Sequence, residues 1–343
     1  MKKLLILTDY LGAFYSSTKN TKTLCTMNVD RIYKLFHEMG YDVRVTTFSK
    51  IDFNIDYSNT YIIYTSSEDY GLKYKSYIED IIIFLKLSHA YLIPDFVYLR
   101  AHHNKSFMEL LRYNILPDSS KMLNTKIYGV YEELFIDEFE ENKFVIKSSY
   151  GAGSKYVKLA ANKKELVKRS KKISSGNNII DSIKEFYKRI FWKGYINHSI
   201  KRNKFIVQNF IPELKGDFKV LKYGQRFYTL YRENRTNDFR ASGSGLLNFK
   251  LPENIDVKKL LDYALYISDK IETPLCSMDI AFDGERFVLI EFQTINFGPY
   301  TAEHSSKYYS FVDNIWIEIY EKCDLEKIFC EAINSFINSK MDR

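Results

Sequence analysis

Cysteine is scarce and unpatterned. Cys25, Cys276, Cys323 and Cys330 are the whole complement of a 343-residue chain, and no two of them form a CxxC pair. That excludes a zinc ribbon, a redox dithiol and a disulfide-stapled miniprotein, and it points to buried thiols in a reducing compartment. Long apolar runs are missing too. The opening run Leu4 to Leu7 stops at Thr8 and Asp9, too short for a signal peptide or a membrane span. The run 78–93 is broken by Glu79, Asp80, Lys86 and His89, which suits a buried helix better than a spanning one. A soluble, cytoplasmic protein that is not transmembrane is expected. No repeat and no Pro-rich or Gly/Ser-rich linker divides the chain, so boundaries must come from changes of pattern.

What is present is core material. Hydrophobic residues make up 45% of the chain, enough for a large interior and too much for a disordered or collagen-like one. The net charge is +7, but it is concentrated. Residues 163–204 carry a net +10, which leaves −3 for everything else.

Residues 1–100 alternate between strand and helix patterns. Strands are expected at 2–8, 42–48 and 60–65, with a helix over 26–39 ending at Gly40. That alternation predicts an open parallel α/β domain. A helix over 105–114 and Pro117 follow, and then come aromatic-rich strands at 144–147, 155–160, 205–210, 218–223, 227–231, 278–282 and 287–292.

Four constellations carry possible chemistry. Lys147 ends a strand that turns through Gly151 and Gly153 to Ser154 and Lys155, the makings of a phosphate-covering hairpin or of a plain β-turn. It is neither a P-loop nor a helix-opening GxGxxG. Asp279 and Glu291 stand on the two strands of a probable hairpin turning at Asp283 and Gly284, so they can sit opposite one another, with Gln293 on the face of Glu291. Two carboxylates and an amide oxygen suit Mg²⁺, although solvent-facing acids would look the same. The strand through Gln208, Asn209, Phe210 and Ile211, followed by Gly216 and Asp217, offers an apolar slot for adenine and a carboxylate for ribose, or else an ordinary core strand. Arg232, Arg235 and Arg240 precede a Ser/Gly stretch that could cradle a phosphoryl group or be a solvated loop.

The order of these signals, with Lys105 ahead of them, resembles the ATP-grasp ligases over about residues 100–300, and within them the glutathione-synthetase and RimK-like branch. NDFRASGSG is also similar to putative surface-polysaccharide ATP-grasp proteins. The resemblance implies an α/β plus α+β architecture: an N-terminal pre-ATP-grasp domain over 1–100, then a two-subdomain ATP-grasp fold over 101–343 with its lid at about 120–212. It implies that ATP and Mg²⁺ are bound, with Lys105 and Lys147 on phosphates and the purine side. Gly151, Gly153 and Ser154 would shape the lid, Gln208 to Ile211 would hold adenine, and Asp217 would bind ribose. Asp279, Glu291 and Gln293 would be the metal ligands, and Arg232 and Arg240 would steady an acyl phosphate. The activity implied is ATP-dependent joining of a carboxylate, such as a uronic-acid sugar or an amino acid, to an amine, with release of ADP and phosphate. The alternatives are an ATP-grasp kinase acting on a hydroxyl and a non-catalytic nucleotide-binding or membrane-surface regulator. Gln293 stands where the branch has Asn, and FRASGSG replaces FRxN. The basic insert 163–204 is outside the family pattern. It reads as lid helices or as a platform for an anionic surface, since aromatic residues interleave with its charges. No nucleic-acid recognition motif accompanies it.

Overall fold

The computed structural model describes residues 1–15, 26–140, 142–151, 156–175, 179–196, 198–212, 214–236, 238–241 and 243–341. Cys25, Gly153 and Ser154 lie outside the described residues. The chain divides into two compact units, one made of Met1–His102 with Leu214–Arg343, the other of His103–Glu213.

The first unit opens with four parallel strands in the spatial order Tyr41–Thr47, Lys2–Thr8, Thr60–Tyr64, Tyr91–Ile93. Leu4 pairs with Val43, and Ile6 with Ile63. The expected helix over 26–39 is shorter. Asn28 accepts a hydrogen bond from the Arg31 amide at 3.0 Å and so starts the helix at Val29–Glu38, while Thr26–Met27 pairs with Phe14–Tyr15 as a small antiparallel ribbon. Ile32 and Phe36, one turn apart, form its buried stripe. The apolar run 78–93 is also two elements. Helix Lys73–Leu87 buries Ile78, Ile82 and Leu85; His89 then takes a positive φ of 59°, and strand Tyr91–Ile93 follows.

An antiparallel sheet completes this unit. Its path runs Phe287–Gln293, Leu275–Phe282, Gly216–Tyr223, Arg226–Glu233, Tyr308–Val312, Ile315–Ile319, with Leu247–Asn248 also pairing to Arg226–Glu233. The terminal hairpin and the helices Val257–Ile271 and Leu325–Met341 are absent from the sequence reading. The last helix joins the two sheets into one core. Its Ile328, Phe329 and Ile333 share a buried cluster with Leu4 and Ile6 of the parallel sheet and with Leu221 and Tyr228 of the antiparallel one. Cys276 and Cys330 are buried free thiols, and burial pushes Cys276 up to about 12, so it is inert near neutrality.

The second unit is a four-stranded antiparallel sheet in the order Lys126–Tyr128, Phe205–Asn209, Phe144–Ser148, Val157–Ala160. Alternation gives it two different faces. Phe144, Ile146, Phe205 and Val207 pack with Leu166 of helix Lys163–Ser174, while Val145, Lys147, Ile206 and Gln208 point the other way. Among the described residues no helix is long and apolar enough to cross a membrane.

Candidate functional site

In the second unit several of the candidate side chains gather around the turn after strand Phe144–Ser148. Helix Lys105–Ile115 begins beside this turn, capped by Asn104, which accepts from the Phe107 amide at 3.3 Å. The Lys105 amide donates to the Ser149 carbonyl at 2.8 Å, and its Nζ donates to the Gly151 carbonyl at 2.8 Å. The hydroxyls of Ser106 and Ser149 share a short hydrogen bond. Gly151 sits at φ +105°, and a Cβ there would lie 2.9 Å from the Tyr156 ring. Both features demand glycine.

Lys147 lies two residues ahead of Ser149, opposite Ile206 and Val157, and is only 8% exposed. Its side chain shares a sheet face with Val145, Ile206 and Gln208. Lys204 is a further cation that the sequence reading counted only as part of the basic insert. Its carbonyl accepts from the Ser149 amide at 3.0 Å, its Nζ lies 3.4 Å from Asn104 Oδ1, and it sits 5.1 Å from the Tyr150 ring centroid. The only sequence signal for it was its place immediately before an apolar strand.

Gln208 shares the Lys147 face but is engaged internally. Its Nε2 donates to Thr125 Oγ1 at 2.8 Å, Thr125 donates to Glu109 Oε2 at 3.1 Å, and Glu109 pairs with the fully buried Arg112 at 3.3 Å. This chain fastens helix Lys105–Ile115 to the sheet. Asn209 is exposed, Phe210 and Ile211 are half-buried, and the Phe210 amide donates to the Lys143 carbonyl at 3.1 Å.

In the first unit the charged residues lie on one face of the antiparallel sheet. Asp217 faces Arg232, Lys219 faces Asp279, and Asp279 faces Glu291 across successive strands. Ser277 faces Gln293 two residues further along. The hairpin turns where the sequence places it. Asp283 Oδ1 accepts from the Arg286 amide at 2.8 Å, and Gly284 takes φ +104°. A bulge after Asp279 sets Ile290 out of register, so Asp279 meets Glu291 while Ile280 meets Leu289.

Salt bridges knit this face. Arg232 donates from Nε to Asp217 Oδ1 at 2.6 Å and from Nη2 to Asp217 Oδ2 at 2.8 Å, and Nη2 also reaches Asp279 Oδ2 at 2.8 Å. Lys219 Nζ donates to Asp279 Oδ1 at 2.9 Å. Burial pushes the Asp279 carboxyl up, but Arg232 and Lys219 outweigh it and hold the group well below the ordinary carboxylate range. Burial opposes the charge on Arg232, and Asp279 and Asp217 together keep it protonated at any accessible pH. Asp217, expected to meet a ribose, thus gives both its oxygens to Arg232. Arg240 pairs with Asp238 in the following loop, at 2.7 Å from Nη2. Gly216 has its own reason: a Cβ there would lie 2.3 Å from the Arg232 carbonyl oxygen and 2.7 Å from the Tyr231 ring.

The donor set fits a hard divalent cation. Glu291, Gln293 and Asp279 offer carboxylate and amide oxygens from two neighbouring strands, and Asp279 is ionised. A metal at Asp279 would share an oxygen that already accepts from Lys219 or Arg232. The loop beyond Gln293 is fixed by a residue the sequence reading passed over. Asn296, at φ +52°, accepts from the Ser66 amide at 3.0 Å and donates to the Ser66 carbonyl at 3.1 Å, which ties it to the end of a parallel strand.

No family model matches the sequence, and no curated protein matches it. Solved structures do. The chain is similar to D-cycloserine synthetase DcsG, with a TM-score of 0.53 at 9% identity over 97% of this chain and 99% of that one. It is also similar to ATP-grasp ligase PsnB complexed with minimal precursor, with a TM-score of 0.51 at 9% identity over 98% of this chain and 100% of that one. Identity at this level speaks for the fold alone. Spanning nearly the whole of each, the chain has the fold of the ATP-grasp ligases.

Proposed function

We propose that the protein is an ATP-dependent carboxylate–amine ligase working through an acyl phosphate. The observation that carries this reading is the row Lys219, Asp279 and Glu291 across three neighbouring strands, joined by Arg232, on a chain with this fold. Phosphoryl transfer asks a protein for positioned charge more than for a covalent nucleophile, and positioned charge is what the row supplies.

Lys105 and Lys147 bind nucleotide phosphates and the purine side, and the turn that opens at Gly151 covers them. The strand end from Gln208 to Ile211 takes the adenine, and Asp217 serves the ribose side, directly or through Arg232. Asp279, Glu291 and Gln293 hold magnesium, which when bound neutralises phosphate oxygens. Arg232 bonds Asp217 and Asp279 through Nε and Nη2, so Nη1 is the donor it turns to the oxyanion of the acyl phosphate. Arg240 is the second such donor.

In the reaction a substrate carboxylate oxygen attacks the γ-phosphorus, and ADP leaves. The amine then attacks the acyl carbon, phosphate departs with that carboxylate oxygen, and the amine loses a proton. The resemblance of NDFRASGSG to surface-polysaccharide proteins favours a uronic-acid sugar as the carboxylate, ahead of an amino acid. The test is magnesium-dependent turnover across a panel of uronic acids, amino acids and amines. ADP formation that requires both an acid and an amine supports the reading, and AMP formation contradicts it.

A further inference from the structure

Helix Ile179–Phe191 is out of place in a folded unit: none of its described residues is buried. Its apolar side chains are not scattered. Ile180, Ile183, Phe186, Tyr187, Ile190 and Phe191 fall within an arc of about 140° at about 100° per residue, and all are exposed, Phe186 by 64% and Phe191 by 65%. Ser182, Lys184, Glu185, Lys188 and Arg189 occupy the remaining arc. An isolated helix of this length is marginal in water and gains its stability from whatever covers its apolar face.

Two more apolar side chains are exposed past the helix end. Trp192 and Ile196 are 55% and 76% exposed. The Lys188 ammonium lies 5.7 Å from the Trp192 ring centroid and 5.6 Å from that of Tyr195, and it pairs with Glu185 at 3.1 Å. Trp192 and Tyr195 are therefore held beside a cation on the polar side of the helix end, the level at which lipid headgroups would lie.

Charge selects the occupant. The segment 163–204 carries a net +10 on a chain that is otherwise net negative. A second copy docked through the same face would set this charge against itself, which disfavours self-association. An anionic bilayer satisfies both demands at once, because apolar and aromatic side chains enter the acyl boundary while lysine and arginine stay among the headgroups. We propose that helix Ile179–Phe191 with Trp192 lies on an anionic lipid surface and holds the lid unit there. This inference is independent of the ligase reading.

The full chain is mixed with vesicles of phosphatidylcholine alone or with 30% phosphatidylglycerol, at 50 and 500 mM salt, and bound protein is sedimented. Binding to the anionic vesicles is expected, at least tenfold weaker in high salt and at least tenfold weaker to neutral lipid. The triple variant Ile183→Ser, Phe186→Ser, Ile190→Ser should lose at least tenfold in partition while its melting temperature holds, since all three side chains are already in solvent. In a Trp316→Phe background, emission from Trp192 should shift to the blue on binding. No partition at low salt, or partition unchanged in the triple variant, overturns the proposal. So does a concentration-dependent dimer that the triple variant dissolves, or capture by polyglutamate peptide without capture by vesicles.

Discussion

Arg232 reaches over strand Gly216–Tyr223 to bond Asp279, two strands away, at 2.8 Å, while its Nε holds Asp217 at 2.6 Å. One guanidinium thus bridges two carboxylates on a mostly buried face, with Lys219 supplying the second positive charge at 2.9 Å from Asp279. Arg232→Met leaves both without their shared partner and should cost about 3–5 kcal/mol of stability, read as a lower urea midpoint at unchanged m-value. Arg240 sits in a more exposed pair with Asp238, so Arg240→Met should cost about 1 kcal/mol or less while still lowering turnover.

Gly216 owes its identity to space. A Cβ at 2.3 Å from the Arg232 carbonyl cannot be absorbed by a side-chain rotation, because the atom it meets is backbone. Gly216→Ala should destabilise the sheet by about 1–3 kcal/mol, visible in thermal unfolding. Alanine at Gly129, which has no left-handed φ and whose Cβ would lie at an ordinary 3.5 Å from Glu133 Oε2, is the control and should cost little.

The depressed carboxyl of Asp279 makes a prediction about acid. Its folded value lies below its unfolded one, so the unfolded chain takes up the proton first. The stabilisation it contributes is complete above the ordinary carboxylate range, about 4, and is lost as pH falls through that range toward the folded value. The stability gap between wild type and Asp279→Asn, measured by urea unfolding, should be widest near pH 7 and narrow by pH 3.

The phosphate-covering turn can be probed with little damage to the fold. Gly151→Ala brings a Cβ against Tyr156 at a φ that alanine resists. The KM for ATP should rise at least tenfold, with melting changed by a few degrees. Pairing it with Tyr156→Ala should recover part of the loss, because the clash is with that ring.

Much of this was legible from local chemistry. The hairpin around Asp283 and Gly284 follows from turn residues between alternating strands, and with Asp279 near the start of one strand and Glu291 near the end of the other the two can sit opposite, as the register has them. The bulge at Ile290 that completes that match was not legible, since nothing in the residue itself announces it. Nor was the Arg232 clasp, which depends on Gly216–Tyr223 pairing with a strand sixty residues downstream. Lys204 looked like one more charge in a basic insert until the Ser149 and Asn104 contacts set it beside the turn. The helix expected over 26–39 failed at its start, because a cap at Asn28 outweighs apolar spacing one turn earlier.

The acyl phosphate leaves an isotopic trace that tests it most directly. The acid found to support ADP formation is prepared with ¹⁸O in its carboxylate and turned over with its amine, magnesium and ATP, and the products are read by mass. The ligase reading predicts one ¹⁸O atom in each released phosphate and none in ADP. Label appearing in AMP, or phosphate released without label, contradicts it.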